Sequence, residues 1–293
     1  MKRKIRYFHC LFVSILILLS SCNNSNRFDG RNGIKTSHHA NGKIRTEIEF
    51  KDGLMNGRCI SYDLEGKIKS ELYYKEGFKS GPSKSYYSNS NIKSLTFYKK
   101  GKRDSVFYEY FEDGKVKKEG KYKDGKLEGE MKAYYENGKV LSLLNYKNNK
   151  KHGEQRYFYD SGQLKAVTDF YDGRPGIKLE EYTSDGKKIK HDLRILTKEV
   201  NKLAFEEMYF YLFKLNKSSS DDQFYMGELD QGKYLPVSYY TLKKKDGFFV
   251  KDFFVPQYAY LMDKLNFIAV TKTKFGHDLI LTKTVNVAIN NYN

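Results

Sequence analysis

Apolar and charged residues alternate along much of this chain. Between positions 44 and 50, a charged side chain separates each member of the set Ile44, Thr46, Ile48 and Phe50. A period of two is the pattern of a strand with one face buried and the other in water. A similar alternation returns at Ile68–Tyr74, Ile92–Tyr98 and Val140–Tyr146. The pattern therefore predicts a series of short, half-buried strands.

These strands belong to a repeat of 24 residues. One glycine marks each copy, with Ser90 as its one substitute: Gly42, Gly66, Gly114, Gly138, Gly162 and Gly186. A second glycine marks a later position, with Asn149 as its one substitute: Gly53, Gly77, Gly101, Gly125 and Gly173. A fixed period of this length is typical of repeat arrays rather than of globular enzyme cores.

Turn signals stand between consecutive strands. Asn41-Gly42 and Asn137-Gly138 mark one end of a hairpin, and Asp52-Gly53 and Asp124-Gly125 mark the other. Such pairs are strong hairpin signals because both central residues of the turn need positive φ. The turns alternate at spacings of 11 and 13 residues (42 to 53, then 53 to 66). We therefore predict an antiparallel meander of about twelve short strands over residues 38–189.

Two aromatic series keep the same period. The first follows the first glycine by eight residues: Phe50, Tyr74, Tyr98, Tyr122, Tyr146 and Phe170. The second precedes it by four: Tyr62, Tyr86, Tyr110, Tyr134, Phe158 and Tyr182. A third glycine, present as Gly57, Gly81, Gly129 and Gly153, is expected to leave room for an aromatic ring of the neighbouring strand. Ladders of stacked rings need no ligand to explain them, so we predict a structural role for both series.

The segments Tyr122–Glu130 and Tyr146–Glu154 resemble the bacterial variant of the MORN repeat, with an aromatic, an Asn/Asp-Gly turn and a second glycine four residues on. Six copies match this pattern over roughly half of the chain. Ser90, Ser105 and Ile177 depart from it, and the last copy is expected to be bent or to form the seam to the next domain. The resemblance implies an elongated, non-enzymatic hairpin array that serves as a scaffold or a membrane-adjacent module. Bacterial members are often catalogued as antitoxin-like.

The period ends after Gly186, and residues 190–293 show about seven short apolar runs. We predict strands at Leu193–Thr197, Glu207–Leu215, Gln223–Leu229, Tyr234–Thr241, Gly247–Val255, Leu265–Thr273 and Asp278–Val287. This density favours a small immunoglobulin-like sandwich, which would also cover the last edge of the array. A helix over Thr197–Leu215 is the competing interpretation. A strand is preferred because the aromatic run Tyr209–Phe213 suits a pleated sheet.

The first 21 residues have the pattern of an export signal. A basic stretch precedes an apolar stretch from Cys10 to Leu19, which is too short to span a bilayer. Leu19-Ser20-Ser21-Cys22 then resembles the lipobox of bacterial lipoproteins, which implies acylation of Cys22. An ordinary cleaved signal and an uncleaved anchor are the alternatives. Residues 22–37 are predicted to be a tether, and Asn23 after the cysteine favours the outer membrane in a cell with two membranes.

The formal net charge is +17, and lysines fill the outward positions of the repeats. Six of them are predicted to form a positive stripe: Lys43, Lys67, Lys93, Lys115, Lys139 and Lys165. A solvated face that resists aggregation is one interpretation of the stripe. Attraction to anionic lipid headgroups or another envelope polyanion is the other. Export makes nucleic acid an unexpected partner, although lysine and tyrosine interleave.

Groups for catalysis are scarce. His38 and His39 are adjacent but lack a cluster of metal ligands, His152 occupies a variable turn position, and Cys59 is a lone thiol. Glu47, Glu71 and Glu119 share one repeat position on the charged face, where ion pairs contribute little. We therefore expect no enzyme, no cofactor and no metal site.

The prediction is an all-β protein: an elongated hairpin array followed by a smaller sandwich. Its expected function is a lipid-anchored envelope module that binds lipid or a protein partner. The alternative is an antitoxin-like or immunity protein that neutralises a toxin, for which an adjacent toxic gene would be the discriminating observation.

Overall fold

The computed structural model describes residues 32–292. The predicted export signal and Cys22 lie outside the described residues. The chain divides into two compact units, one ending at Leu127 and one beginning at Glu128. This division falls inside the predicted repeat region rather than at residue 190.

The first unit is an antiparallel meander in which each strand pairs with the next. Its strands are β1 (Gly33–His38), β2 (Ile44–Lys51), β3 (Leu54–Tyr62), β4 (Ile68–Lys75), β5 (Phe78–Tyr86), β6 (Ile92–Lys99), β7 (Lys102–Tyr110), β8 (Val116–Lys123) and β9 (Lys126–Leu127). Strand β1 begins inside the segment for which we expected a tether, and Gly33 lies opposite Phe50. The repeat register therefore starts earlier than the glycine series indicates.

The second unit begins with five more strands of the same kind. These are β10 (Gly129–Tyr134), β11 (Val140–Lys147), β12 (Lys150–Phe158), β13 (Leu164–Tyr171) and β14 (Arg174–Glu181), again antiparallel neighbours in sequence order. The described part of the chain thus holds fourteen strands where about twelve were predicted. The all-β hairpin prediction is confirmed.

Two four-stranded sheets complete the second unit. Their strands are β15 (Ile195–Lys202), β16 (Met208–Leu215), β17 (Gln223–Met226), β18 (Tyr240–Thr241), β19 (Lys243–Lys245), β20 (Phe248–Phe254), β21 (Ala259–Lys272) and β22 (Asp278–Asn291). The strand orders are β15-β16-β20-β19 and β18-β17-β21-β22. A β-sandwich is therefore confirmed. Lettered A, B, C, C′, D, E, F and G in chain order, the strands form the sheets A-B-E-D and C′-C-F-G, which is the sheet order of an immunoglobulin-like sandwich with one C′ strand, as predicted.

Side chains from both sheets share one core. Phe213 of β16 lies 4.1 Å from Phe267 of β21, and Phe224 of β17 lies 4.7 Å from Phe249 of β20, measured between ring centroids. All four belong to one buried cluster. Aromatic pairs at such distances add to the free energy that their burial contributes.

The helix predicted as an alternative over Thr197–Leu215 is reduced to one turn, α1 (Leu203–Glu206). The aromatic run Tyr209–Phe213 lies in β16, which confirms the predicted strand over the alternative helix. The predicted strand Tyr234–Thr241 is mostly wrong, since only β18 at its end is a strand. The reason is that Tyr234 forms a backbone bridge to Gly176 on the open side of β14 instead.

The sandwich segment around Tyr234 covers part of the last repeat strand. The Ile177 N–H donates to the Lys233 carbonyl at 2.8 Å, and the Leu235 N–H donates to the Pro175 carbonyl at 3.1 Å. The departure from the repeat pattern at Pro175–Ile177 therefore marks the seam, as expected. Backbone groups of β14 that would otherwise invite another strand are satisfied within the chain.

Where the third glycine is present, it lies opposite an aromatic residue: Gly57 pairs with Tyr74, and Gly153 pairs with Phe170. Close packing of that ring does not explain the glycine at Gly129 or Gly153, whereas at Gly57 an added Cβ would clash with the Glu49 side chain. A Cβ atom added at Gly129 or Gly153 would meet no atom within 4 Å, but the φ angles there are +79° and +80°. Glycine is required because other residues pay for positive φ with steric strain.

Candidate functional site: two rows of turns

The hairpin turns of each unit form two rows, at opposite ends of the strands. The first turn row holds the first glycine of each copy, or Ser90 in its place, in turns that begin at His39, Asp63, Tyr87, Phe111, Tyr135, Tyr159 and Thr183. The second turn row joins Lys51 to Leu54, Lys75 to Phe78, Lys99 to Lys102, Lys123 to Lys126 and Lys147 to Lys150. The two rows differ in what their side chains contact.

Side chains of the first turn row bond to the next copy. The amide Nδ2 of Asn89 donates to the carbonyl of Glu112 at 3.1 Å, and that of Asn137 donates to the carbonyl of Asp160 at 3.0 Å. Each asparagine also accepts, at Oδ1, the N–H two residues ahead in its own turn. We call these side-chain-to-carbonyl bonds between copies rungs. They satisfy turn carbonyls that no strand reaches.

A second kind of rung starts two residues before each asparagine position. The Tyr87 hydroxyl donates to the carbonyl of Tyr110 at 2.6 Å, and the Tyr159 hydroxyl donates to that of Tyr182 at 2.7 Å. His39 occupies the same position, with Nε2 3.1 Å from the Tyr62 carbonyl. His39 therefore has a structural partner where the sequence indicated only a surface residue.

The predicted lysine stripe lies in and beside the first turn row, and the protein itself engages its ammonium groups. Lys43 and Lys67 donate to the carbonyls of Glu65 and Ser88, both at 3.1 Å. The other four members also have contacts: Lys139 with the Ser161 carbonyl, Lys115 with Asp113, Lys93 with the Tyr87 ring, and Lys165 with the rings of Tyr159 and Phe275. These contacts lower the capacity of the stripe to bind an external anion.

The first aromatic series lies where the sequence predicts it, but cationic side chains cover several of its rings. The Arg103 guanidinium lies 4.2 Å from the centroid of the Tyr122 ring and donates to its hydroxyl at 2.8 Å. Lys79 and Lys151 lie over the rings of Tyr98 and Phe170, at 5.2 and 4.9 Å. The series therefore binds cations of its own repeats, which supports the structural interpretation.

The second turn row carries a lysine ladder that the sequence analysis missed. Its five members stand two residues before the second glycine position and are all exposed: Lys51, Lys75, Lys99 and Lys123 in the first unit, and Lys147 in the second unit. Between residues 32 and 292, none of these ammonium groups has an ion pair or a hydrogen bond. The signal was present in the sequence as a lysine at the 24-residue period.

Lysines are most concentrated at two neighbouring turns of the first unit. Lys99 lies directly opposite Lys102, and Lys123 lies directly opposite Lys126. Lys99, Lys100, Lys102 and Lys123 line a cleft of about 470 Å³, together with Asp104 and Asp124. Like charges at paired positions destabilise a sheet. An anion bound in this cleft would offset that repulsion.

We predicted that the glutamates at the shared repeat position of Glu47, Glu71 and Glu119 lie on the exposed face. Glu71 does not. Glu71 is buried, and its Oε1 lies 2.5 Å from Nε of Arg58. Tyr73 and Tyr86 also donate their hydroxyls to this carboxylate. Burial is the largest single influence and raises the pKa of Glu71. The hydrogen bond and charge of Arg58, together with the hydroxyls of Tyr73 and Tyr86, outweigh it, so the pKa lies below its usual value. Glu71 is a structural ion pair within the sheet.

Catalytic chemistry finds little support in the described residues. No group of three or more histidine, cysteine, aspartate or glutamate side chains in residues 32–292 is arranged to hold a metal ion. Burial raises the pKa of the Cys59 thiol, which disfavours the reactive thiolate. His152 accepts a weak hydrogen bond from the Asp172 N–H in the next turn, so its position serves the repeat.

Comparison with known families agrees with this geometry. The family model described as "MORN repeat variant" matches six segments: residues 31–52, 55–76, 79–100, 103–124, 127–148 and 151–171. The chain is therefore a MORN-variant repeat protein. MORN repeats are generally non-catalytic modules for binding or scaffolding. No curated protein matches the chain. Within residues 32–292, no helix combines the length and hydropathy of a membrane span.

Proposed function

We propose that this protein is a lipid-anchored component of the bacterial cell envelope that acts by binding, with no catalytic step. The lipobox-like segment ending at Cys22 supports the anchor, and Asn23 favours the outer membrane where two membranes exist. The MORN-variant repeats supply the binding module. The single observation that carries the binding proposal is the lysine ladder of the second turn row, whose five ammonium groups have no ion pair or hydrogen bond within the described residues.

The partner of this row is an anionic lipid surface. Lys99, Lys102 and Lys123 are exposed at neighbouring turns, and each lysine near an anionic membrane contributes about 1 kcal/mol to binding. An acyl chain at Cys22 would hold the protein close to headgroups, so that even weak electrostatic attraction is sustained. A polyanion of the envelope would present the same chemistry.

Two matched triple variants, each with three lysines changed to glutamate, test the second turn row. The chain with Cys22→Ala, which removes acylation, is mixed with vesicles of phosphatidylcholine containing 30% phosphatidylglycerol. The triple variant Lys99→Glu, Lys102→Glu, Lys123→Glu should lose at least tenfold in vesicle affinity at low salt, and the wild-type affinity should fall as salt rises.

The matched control is the triple variant Lys43→Glu, Lys67→Glu, Lys115→Glu, which makes the same charge change on the first turn row. It should keep most of the vesicle affinity, since those ammonium groups already contact the protein. Equal losses in both variants would show that net charge alone drives binding. Unchanged binding in the second-row variant would refute the site.

The anchor is tested separately in cells. A clickable fatty-acid analogue should label the wild-type chain and leave the Cys22→Ala variant unlabelled. Fractionation then shows whether the labelled protein sediments with membranes. Absence of label on the wild-type chain would contradict the anchor while leaving the lysine row open to test.

A further inference from the structure

A cavity of about 410 Å³ lies at the seam of the second unit, between strands β12–β14 and the turn that joins β21 to β22. Lys151, Tyr157, Thr168 and Phe170 line it from the repeats, and His277 lines it from the turn. Its volume falls within the range of small-molecule sites. We call it the seam cavity.

His277 is held in one orientation. Its Nδ1 lies 2.6 Å from Oε1 of Glu181, which is fully buried, and its ring lies 4.9 Å from the Tyr157 ring. The Thr273 hydroxyl donates to the same carboxylate oxygen, and Nε2 of His191 lies 3.1 Å from the other oxygen. With Nδ1 committed to Glu181, Nε2 is the nitrogen of His277 left for a ligand. In the doubly protonated ring it is a donor.

The acidic side chains of the cavity are already engaged. Asp278 pairs with Lys272 at 2.6 Å, and Asp169 accepts the Tyr234 hydroxyl at 2.7 Å. Lys151 has no carboxylate partner in residues 32–292. Its Nζ contacts only the Tyr157 hydroxyl, at 3.1 Å, and the rings beside it. A hydroxyl hydrogen bond leaves Asp169 charged, so the lining lysines and aspartates sum to no net formal charge. Within residues 32–292, Lys151 is the lysine of the seam cavity that lacks a carboxylate partner.

Thr168 adds an independent observation. It is 7% exposed, lines the seam cavity, and its hydroxyl has no hydrogen-bond partner within the described residues. An unsatisfied buried hydroxyl costs about 1–3 kcal/mol, so such groups in native structures usually mark a missing partner. A ligand oxygen that enters this wall of the cavity would supply one.

We propose that the seam cavity binds a small organic monocarboxylate. The carboxylate accepts hydrogen bonds from the Lys151 ammonium and, when the ring is doubly protonated, from Nε2–H of His277, with Thr168 donating to a ligand oxygen. The apolar part of the molecule packs against the rings of Tyr157 and Phe170. The ligand would contact both the last repeats and the β21–β22 turn, so binding should strengthen the seam.

Benzoate is the probe, and its neutral isostere benzamide is the control ligand. In saturation-transfer and ¹H–¹⁵N spectra of the full chain, benzoate should bind saturably, with a Kd on the order of 1 mM or tighter. The His277 ring resonances should shift during the titration. Benzamide should bind at least tenfold more weakly, because it lacks the charge that Lys151 recognises.

Variants locate the site. Lys151→Met should weaken benzoate at least tenfold, whereas Lys150→Met should change it less than twofold, because Lys150 pairs with Asp172 at an exposed turn. Thr168→Val keeps the side-chain shape and removes the hydroxyl, so it should weaken benzoate without unfolding the chain. Circular dichroism confirms that each variant is folded. Absence of saturable benzoate binding, equal binding of benzamide, or full affinity in folded Lys151→Met would overturn the proposal.

Discussion

The sandwich and the repeat sheet achieve stability by different routes. In the sandwich, Phe213 and Phe224 are fully buried and Phe267 is 1% exposed, so one core concentrates the apolar burial. In the first unit, the best buried rings, Phe50 and Phe107, both retain 5% exposure. A single-layer sheet has no second layer to cover its rings. Rungs between neighbouring turns and cations over the rings carry part of the stability that a core supplies elsewhere.

This contrast teaches where each region tolerates change. A concentrated core is damaged by one truncation, because surrounding side chains cannot collapse into the cavity. A repeat sheet distributes its stability over many equivalent contacts, each of which is small. Substitutions in the sandwich and in the repeat sheet should therefore change the free energy of unfolding by different amounts.

The largest effect is expected in the sandwich. Phe213→Ala should lower the free energy of unfolding by about 3–5 kcal/mol, because it removes a ring that contacts Phe224 and Phe267 in the core. Urea denaturation followed by near-ultraviolet circular dichroism measures the change. Phe107→Ala in the first unit is the comparison and should cost less, since its ring borders solvent. Equal losses would contradict the division between concentrated and distributed burial.

A smaller effect is expected at the Arg58–Glu71 pair. Arg58→Met should destabilise the first unit by about 1–2 kcal/mol at pH 7, less than for a fully buried pair because the Arg58 side chain is 44% exposed. The wild-type pKa of Glu71 lies below its ordinary value of 4.5. A lowered pKa contributes stability that is present above the ordinary value and is lost as pH falls through the folded-state pKa.

The variant should therefore respond to acid differently. Without Arg58, the effect of burial on the pKa of Glu71 is no longer offset, so this pKa rises. Protonation of Glu71 at lower pH then removes a buried, unpaired charge. Unfolding free energies of the wild type and Arg58→Met should converge as the pH falls from 7 to about 3. The double variant Arg58→Met, Glu71→Gln should recover part of the loss at pH 7. A constant gap across this pH range would exclude the proposed role of the pair.

The alternation at residues 44–50 was enough to predict strands, because a period of two has one structural meaning. The contacts between copies could not be predicted in the same way. Lys67 and Lys99 are both lysines at fixed repeat positions, yet only Lys67 reaches a carbonyl, at Ser88. That difference depends on the register and on the depth of each turn. Similarly, the 24-residue period predicts a glycine at position 129. It does not indicate whether the cause is a lack of space for a side chain or a positive φ angle.

The division of the chain was also hidden from the sequence. The repeat period continues through Leu127 and Glu128, so no change of composition marks the boundary between the two units. The seam cavity depends on His277, which lies far from Lys151 in the chain and belongs to no motif. Such sites arise from tertiary contacts and become visible only when the strands are placed.

An individual rung should be worth about 1 kcal/mol. Asn137→Ala removes the bond from Nδ2 to the Asp160 carbonyl and the bond that Oδ1 accepts from the Lys139 N–H. Hydrogen exchange should show faster opening of the turns at residues 137 and 161. The control Asn290→Ala, at an exposed position of β22, should stay within about 0.5 kcal/mol of the wild type. Equal exchange in both variants would mean that rungs add nothing to the repeats.

The smallest effect should be a gain. Ser105 has φ of 77°, at the position where other copies carry the third glycine. Left-handed backbone costs a non-glycine residue about 1–2 kcal/mol, whereas glycine loses about 0.5–1 kcal/mol of extra conformational entropy on folding. Ser105→Gly should therefore stabilise the first unit by about 0.5–1 kcal/mol and raise its melting temperature.

The matched control is Ser61→Gly, on strand β3. Ser61 lies opposite Ser70, with their hydroxyl oxygens 2.7 Å apart, and its φ is not positive, although the strand register shifts between Ser61 and Tyr62. This substitution removes a cross-strand hydrogen bond and adds entropy to the unfolded chain, so it should destabilise the unit by about 1 kcal/mol. Opposite signs for two serine-to-glycine changes in one sheet would isolate backbone conformation as the cause. If Ser105→Gly also destabilised the unit, the repeat glycines would have to be explained by something other than φ.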